Sequence, residues 1–402
     1  MSRRSCPFYP PKLNPPLVRL LQTLGPTVVR WTHQLELIIS TESDVQLSTL
    51  QNQPCLLLCN HPTFHDPIVL FLFSARLRKP FYYLAAHEQF SGIQGQLYQR
   101  LGAYSVRRGQ PDRASVAQTF QVLAQPDSKL VIFPEGGCSF QNDTVMPFRP
   151  GAVQMALQSL AKQARAGTAS DLLVVPMSLK YRYTRSMTAV IEQTLSQLER
   201  ATGASGIGNS YQRLREVSGR VIRQCELEYG LTPPPTADWN QRITNIKTEI
   251  LQQCEQRLGV TPIPGIANRE RVYHMQQLLE DRYSVFLADG TDSWEVLHKA
   301  LGRVLNFDAI YDGYVAEKPT PERFLDTLVR LEREVFNIDQ PTPKGYRQAF
   351  LRVGTPVPLK PYLNDYAKNR AATVKTLVHE LQQTVQTNLN LLSEATARGI
   401  SW

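Results

Sequence analysis

Two hydrophobic rhythms divide this chain. Between about residues 35 and 180, short apolar runs alternate with stretches of helical period. The runs at 35–39, 55–58, 81–85, 104–106, 130–133 and 172–176 are rich in Leu, Val, Ile, Phe and Tyr and read as strands. Between them, 67–78, 92–101, 112–125 and 150–166 carry the spacing of amphipathic helices. This alternation predicts an α/β layered domain, a mixed sheet flanked by helices. From about 185 to 345 the rhythm lengthens. Helices are expected over 211–229, 239–258, 269–287, 293–305 and 321–336, punctuated by Pro233-Pro234-Pro235 and by Gly203-Ala204-Ser205-Gly206-Ile207-Gly208. The glycine stretch follows no strand and lacks dinucleotide-fingerprint spacing, so it reads as loop. Strand character returns at 350–357, and a last helix is expected over 367–392.

The chain therefore reads as a proline-rich segment and amphipathic helix (1–34), a layered domain (35–184), a mainly helical insertion (185–345), and a closing strand and helix (346–402). The run 17–39 is apolar but holds Arg19, Arg30, His33 and Glu36 and is interrupted by Pro26. It suits a helix lying in a membrane interface and equally one packing on a core. No run approaches the roughly 20 apolar residues of a spanning helix.

Charge sharpens this division. The 402 residues carry a formal net charge of +9. Residues 1–184 hold 18 basic and 10 acidic groups, net +8; 185–350 hold 20 and 22, net −2; 351–402 hold 6 and 3, net +3. The basic excess lies with the layered domain and suits anionic partners such as phosphate esters, coenzyme A, acidic carrier proteins or anionic lipid surfaces. No nucleic-acid-binding signature accompanies it. The six cysteines form no CxxC pair, which points to reduced thiols and a cytosolic setting. Arg3-Arg4 resembles a twin-arginine leader, but the prolines that follow cannot form its apolar core.

The candidate chemistry begins at Cys59-Asn60-His61-Pro62-Thr63-Phe64-His65-Asp66-Pro67, just past a predicted strand. A histidine at a strand end with a carboxylate five residues on can act as a general base with its own orienting partner. His61 and His65 stand four apart, but Pro62 occupies the position where a zincin helix needs Glu, so no metal site is expected. No Gly-x-Ser-x-Gly elbow occurs, which argues against an α/β-hydrolase. Cys138 is a conceivable acyl acceptor, but the nearby Glu135 disfavours its thiolate.

Three further blocks follow in order: Gly102-Ala103-Tyr104-Ser105-Val106-Arg107-Arg108-Gly109, Val131-Ile132-Phe133-Pro134-Glu135-Gly136-Gly137, and Leu172-Leu173-Val174-Val175-Pro176-Met177. Together the four blocks resemble the motifs of the glycerolipid acyltransferases, the family of glycerol-3-phosphate and lysophosphatidic acid acyltransferases. The resemblance implies that His61 is the general base, held by Asp66. It implies that Arg108 binds the acceptor's phosphate, with Arg107 beside it. Glu135 would orient Arg108 or a substrate hydroxyl, and Gly136 would allow close backbone approach and offer its N–H to an oxyanion. Val175 and Pro176 match a largely structural fourth motif. Many phosphate-using relatives read Glu-Gly-Thr-Arg-Ser where this chain has Glu135-Gly136-Gly137-Cys138-Ser139. Lys180, Arg182 or Arg149 would have to replace the missing arginine, or the acceptor carries less charge.

The implied activity is O-acyl transfer in phospholipid biosynthesis, from acyl-CoA or acyl-carrier protein to a glycerophospholipid precursor. It implies no metal or redox cofactor and a peripheral position on the cytoplasmic face of a membrane. The alternatives are acylation of another lipid alcohol, or a non-catalytic lipid-binding protein on the same fold.

Overall fold

The computed structural model describes residues 7–109, 112–167, 171–234, 236–282, 293–308 and 310–397. Arg3, Arg4 and Cys6 lie outside the described residues, as does 283–287 of one expected helix. Internal contacts divide the chain into two compact units. One comprises 1–106, 112–184 and 345–402; the other comprises 107–111 and 185–344.

The first unit is the layered one. In chain order it contains α1 (Pro15–Thr32), β1 (Leu35–Ile39), α2 (Asp44–Leu50), β2 (Cys55–Cys59), α3 (Asp66–Leu77), β3 (Tyr82–Ala86), α4 (Gly92–Arg100), β4 (Ala103–Val106), α5 (Arg113–Leu123), β5 (Lys129–Ile132), α6 (Gly151–Arg165) and β6 (Leu173–Tyr183). The strands form one mixed sheet in the order β1-β7-β6-β2-β5-β3-β4. Here β7 is Arg347–Val353, and a short strand, Val357–Pro358, also pairs with β6. All neighbours are parallel except the two pairs that β6 makes with these late strands, which are antiparallel. The expected α/β layered fold is the one found.

β2 lies inside the sheet, and all five of its residues are buried. Leu57 and Cys59 face one core, with Val69, Leu70 and Phe73 of α3. Leu56 and Leu58 face the other, with Ala156, Leu157 and Leu160 of α6 and Leu377, Leu381 and Val385 of the C-terminal helix. A strand covered on both faces has no polar positions to alternate, which is why it reads as a continuous apolar run. Each such leucine contributes about 1.5–3 kcal/mol of burial.

β6 is longer than expected. Its first five residues pair with β2. Beyond Met177, it pairs on one side with β7. On the other side two buried asparagines stand in for a strand. Asn60 donates from Nδ2 to the Leu179 carbonyl (3.0 Å) and accepts the Leu179 N–H (2.7 Å). Asn142 does the same at Tyr181, with both bonds 2.7 Å. Backbone groups that would otherwise be buried without partners are thereby satisfied.

The second unit contains seven helices among its described residues: α7 (Thr188–Thr202), α8 (Ser210–Glu228), α9 (Trp239–Leu258), α10 (Asn268–Asp281), α11 (Ser293–Phe307), α12 (Tyr314–Glu317) and α13 (Pro321–Phe336). Arg213 of α8 pairs with Glu199 of α7, Arg242 of α9 with Glu226 of α8, and Arg271 of α10 with Glu255 of α9. These three pairs join successive helices of the unit. The first unit ends with α14 (Leu363–Lys368) and α15 (Arg370–Ala397).

Candidate active site

His61 sits two residues past β2, and Asp66 opens α3 in the helix's first turn. Pro62 and Pro67 bracket the short connection, and a Pro in the first turn suits a helix start. His61 Nδ1 lies 2.6 Å from Asp66 Oδ2. Asp66 is fully buried and accepts three further hydrogen bonds. Thr63 N–H reaches Oδ2 at 2.9 Å, Thr63 Oγ1 reaches Oδ1 at 2.9 Å, and the Tyr181 hydroxyl reaches Oδ1 at 2.6 Å. Hydrogen bonds to both oxygens offset the cost of burying the carboxylate and fix it in place.

The Phe133–Ser139 loop closes the other side. Glu135 is buried, and its Oε1 accepts the His61 N–H at 2.9 Å. Ser139 N–H donates to the His61 carbonyl at 2.8 Å. The Phe133 ring stacks on the imidazole with centroids 4.2 Å apart. Cys138 Sγ approaches His61 Nε2 at 3.4 Å. Burial disfavours a charged imidazole. The Cys138 and Asp66 groups beside the ring outweigh that and raise the His61 pKa well above its ordinary value.

Gly136 suits its place in this turn. Its φ is +77°, and an added Cβ would lie 2.7 Å from Arg149 Cδ and 2.8 Å from Arg149 Nη1. Its N–H donates to the Phe133 carbonyl at 3.1 Å. The oxyanion donation expected of Gly136 is therefore corrected: that amide is committed inside the turn. Of the three cations considered for the missing arginine, Arg149 is the one packed on this loop, and its N–H bonds to the Pro134 carbonyl. Lys180 is buried in an ion pair with Asp143. Arg182 donates to Thr396 and Ser393 on α15, both at 3.0 Å.

His65 is packed away from this chemistry. Its Nδ1 lies 3.2 Å from Arg347 Nη2 and its ring abuts His33. Burial, then the Arg347 charge, push its pKa down to about 4, so it is a neutral hydrogen-bonding residue. Among the described residues no three His, Cys, Asp or Glu side chains gather as a metal site.

The structure thus brings His61, Asp66, Glu135 and Gly136 together in the first unit. Arg107 and Arg108 belong by their contacts to the second unit, where the Arg108 guanidinium lies 4.3 Å from the centre of the Tyr273 ring. Gly109 packs equally close there: an added Cβ would come within 2.5 Å of the His274 backbone. Sequence reasoning missed the parts played by Thr63, Tyr181, Phe133 and Asn142, and it discounted Cys138.

Residues 40–180 match the model of the Acyltransferase family. Residues 40–180 of this chain are thus an acyltransferase domain. The span matched includes β2 to β5, most of β6, and the whole His61 constellation. No curated protein matches the chain. The acyltransferase is an enzyme by its domain, and no described helix in it is long and apolar enough to cross a membrane.

Proposed function

We propose that this acyltransferase moves a fatty acyl group from acyl-CoA or acyl-carrier protein to a hydroxyl of a glycerol-3-phosphate or lysophosphatidic acid type acceptor. His61 is the general base, and Asp66 fixes its tautomer and stabilises the imidazolium that forms. The observation that carries the reading is the His61–Asp66 pair, with its carboxylate buried and saturated by donors. The resemblance gives Arg108, with Arg107, the acceptor's phosphate; within the first unit, Arg149 packs on the Glu135-Gly136 turn.

A second reading, acylation of a lipid alcohol with less phosphate charge, is favoured by one observation. Lys180 and Arg182, two of the three candidate replacements for the missing arginine, are engaged inside the fold.

The enzyme works at a membrane surface, on the cytoplasmic face, in phospholipid biosynthesis. Helix α1 supports the membrane surface alone. Val18, Gly25 and Val29 are buried, whereas Leu20, Leu24, Val28 and Trp31 form an exposed apolar stripe, Trp31 at 82% exposure. Arg19 and Arg30 are exposed on the same helix, a composition suited to anionic lipid.

The test is acyl transfer by the purified chain with lipid vesicles, comparing wild type with His61→Ala. Glycerol-3-phosphate, lysophosphatidic acid and a phosphate-free lipid alcohol are offered with acyl-CoA and with acyl-carrier protein. Turnover lost in His61→Ala is expected. Turnover unchanged by that substitution overturns the mechanism.

A further inference from the structure

The mechanism above leaves a basic cluster unused at one corner of the first unit, where three elements meet. His33 caps the C-terminal end of α1, His65 caps the start of α3, and Arg347 opens β7. The Arg347 N–H donates to the Gln34 carbonyl at 2.8 Å, and Leu35 pairs with Arg347 in the sheet, which sets the residues after His33 against the head of β7. Arg347 Nη2 lies 3.2 Å from His65 Nδ1, and the His33 and His65 rings meet edge to face with centroids 5.2 Å apart. Arg30, one turn earlier on α1, lies over the Tyr346 ring at 5.6 Å.

Arg347 is out of balance in this setting. It is only 9% exposed, and its Nε has no hydrogen-bond partner among the described residues. Burying a guanidinium is costly unless an anion stands against it. Arg269 and Arg303 meet that rule, at Asp308 and Glu334. Arg347 has instead a neutral imidazole, and the Tyr181 ring 5.1 Å from its guanidinium carbon. The carboxylate whose charge reaches His65 is Asp66, and both its oxygens are taken by His61, Thr63 and Tyr181. A neutral His65 that accepts at Nδ1 carries its proton on Nε2 and is a second donor. His33 and His65 are part-exposed, so the cluster opens to solvent through the two imidazoles. A planar fork of donors beside further N–H groups matches the oxygens of a phosphate.

We propose that Arg347, His65 and His33 form an anion site that takes the phosphate group of a phosphate ester. Tyr181 and Asp66 stand between Arg347 and His61 in the chain of contacts, so this site is separate from the place where His61 takes a proton. Two sources share the chemistry: the phosphate of the acceptor, and a phospholipid headgroup met by α1, whose exposed Trp31 lies two residues before His33.

The experiment is thermal melting of the full chain in millimolar inorganic phosphate and in glycerol-3-phosphate, each against chloride at equal ionic strength. Both should raise the melting temperature of wild type saturably, and Arg347→Met should bind both about tenfold or more weakly. In chloride, Arg347→Met should melt no lower than wild type, because it removes a buried charge and keeps the length of the side chain. The double variant His33→Gln with His65→Gln, at part-exposed positions, should lose the phosphate effect as well and serves if Arg347→Met does not fold. Acyl-transfer kinetics and vesicle binding then separate the sources. A raised KM for glycerol-3-phosphate with kcat held in Arg347→Met assigns the acceptor's phosphate. An unchanged KM with weaker co-sedimentation on phosphatidylglycerol vesicles assigns the headgroup. Wild type indifferent to phosphate, or variants stabilised by it as strongly, overturns the site. Phosphate stabilisation with neither KM nor vesicle binding altered by Arg347→Met overturns the ester and leaves an inorganic anion only. Melting needs no turnover, so failure of the acyl-transfer reading and failure of this site are told apart.

Discussion

Replacing Asp66 by Asn separates two jobs that the carboxylate performs. Asp66 Oδ2 faces two fixed donors, the Thr63 N–H and the His61 ring, whereas Oδ1 faces two hydroxyls, those of Thr63 and Tyr181. An amide has one oxygen and one NH2. The hydroxyls can turn and accept; the backbone N–H cannot. The substituted side chain should therefore place its oxygen on the Oδ2 side and its NH2 toward the hydroxyls, keeping the His61 tautomer. What the substitution removes is the negative charge. The imidazolium formed during transfer loses its counter-ion, and the Tyr181 hydroxyl loses a charged acceptor. A loss of about 10²-fold in kcat follows, the low end for a positioned acid–base group, rather than the ~10⁴-fold of a wrong tautomer. Stability should fall by about 1–3 kcal/mol, the range for disturbing a buried hydrogen-bonded group.

Steady-state kinetics and urea unfolding of Asp66→Asn and Tyr181→Phe distinguish the two jobs. Tyr181→Phe leaves the charge and three donors in place. It should lose stability while retaining most activity. Asp66→Asn within twofold of wild-type kcat would refute the reasoning, because the carboxylate would then be structural only.

Four other outcomes follow from the geometry. Gly136→Ala places a side chain at φ +77° against the movable end of Arg149, so strain of about 1–2 kcal/mol should lower the melting temperature of a protein that still folds, and turnover should fall as Arg149 shifts, read by thermal melting and activity. Asn142→Ala removes both partners of the Tyr181 backbone and should lower unfolding free energy by about 2 kcal/mol or more; no loss in urea titration would contradict the strand-substitute role. His65 has its pKa pushed down to about 4 in the fold against 6.5 when unfolded, so the unfolded chain binds the extra proton between these values and stability falls as pH falls through this window. From pH 7 to pH 5 that amounts to about 2 kcal/mol, and His65→Gln should flatten this part of the stability profile. Leu24→Glu with Trp31→Ser should weaken co-sedimentation with anionic vesicles severalfold while leaving the fold intact; unchanged binding would remove α1 from the membrane surface.

Features that repeat or lie close in sequence were legible, and features that rest on distant side chains were not. The apolar run at β1 is found at 35–39 as expected, and β2, β3 and β5 fall within a residue of their expected places, because each is a short run of apolar residues. The strand β6 shows the limit. Only 172–176 read as strand, yet the element runs from Leu173 to Tyr183. Its second half contains Lys180 and Arg182, which look like solvent positions, but both are buried and partnered, by Asp143 and by α15. A polar residue within a strand signals exposure only when no buried partner awaits it, and these partners lie far away in the chain.

The same distance dependence governs the site. His61 and Asp66 are five residues apart, so their pairing could be read from local spacing. Tyr181 meets Asp66 across 115 positions and Cys138 meets His61 across 77. Each contact joins elements that only the fold brings together, Tyr181 on β6 to the first turn of α3 and the 135–139 loop to the end of β2, so no local spacing encodes either.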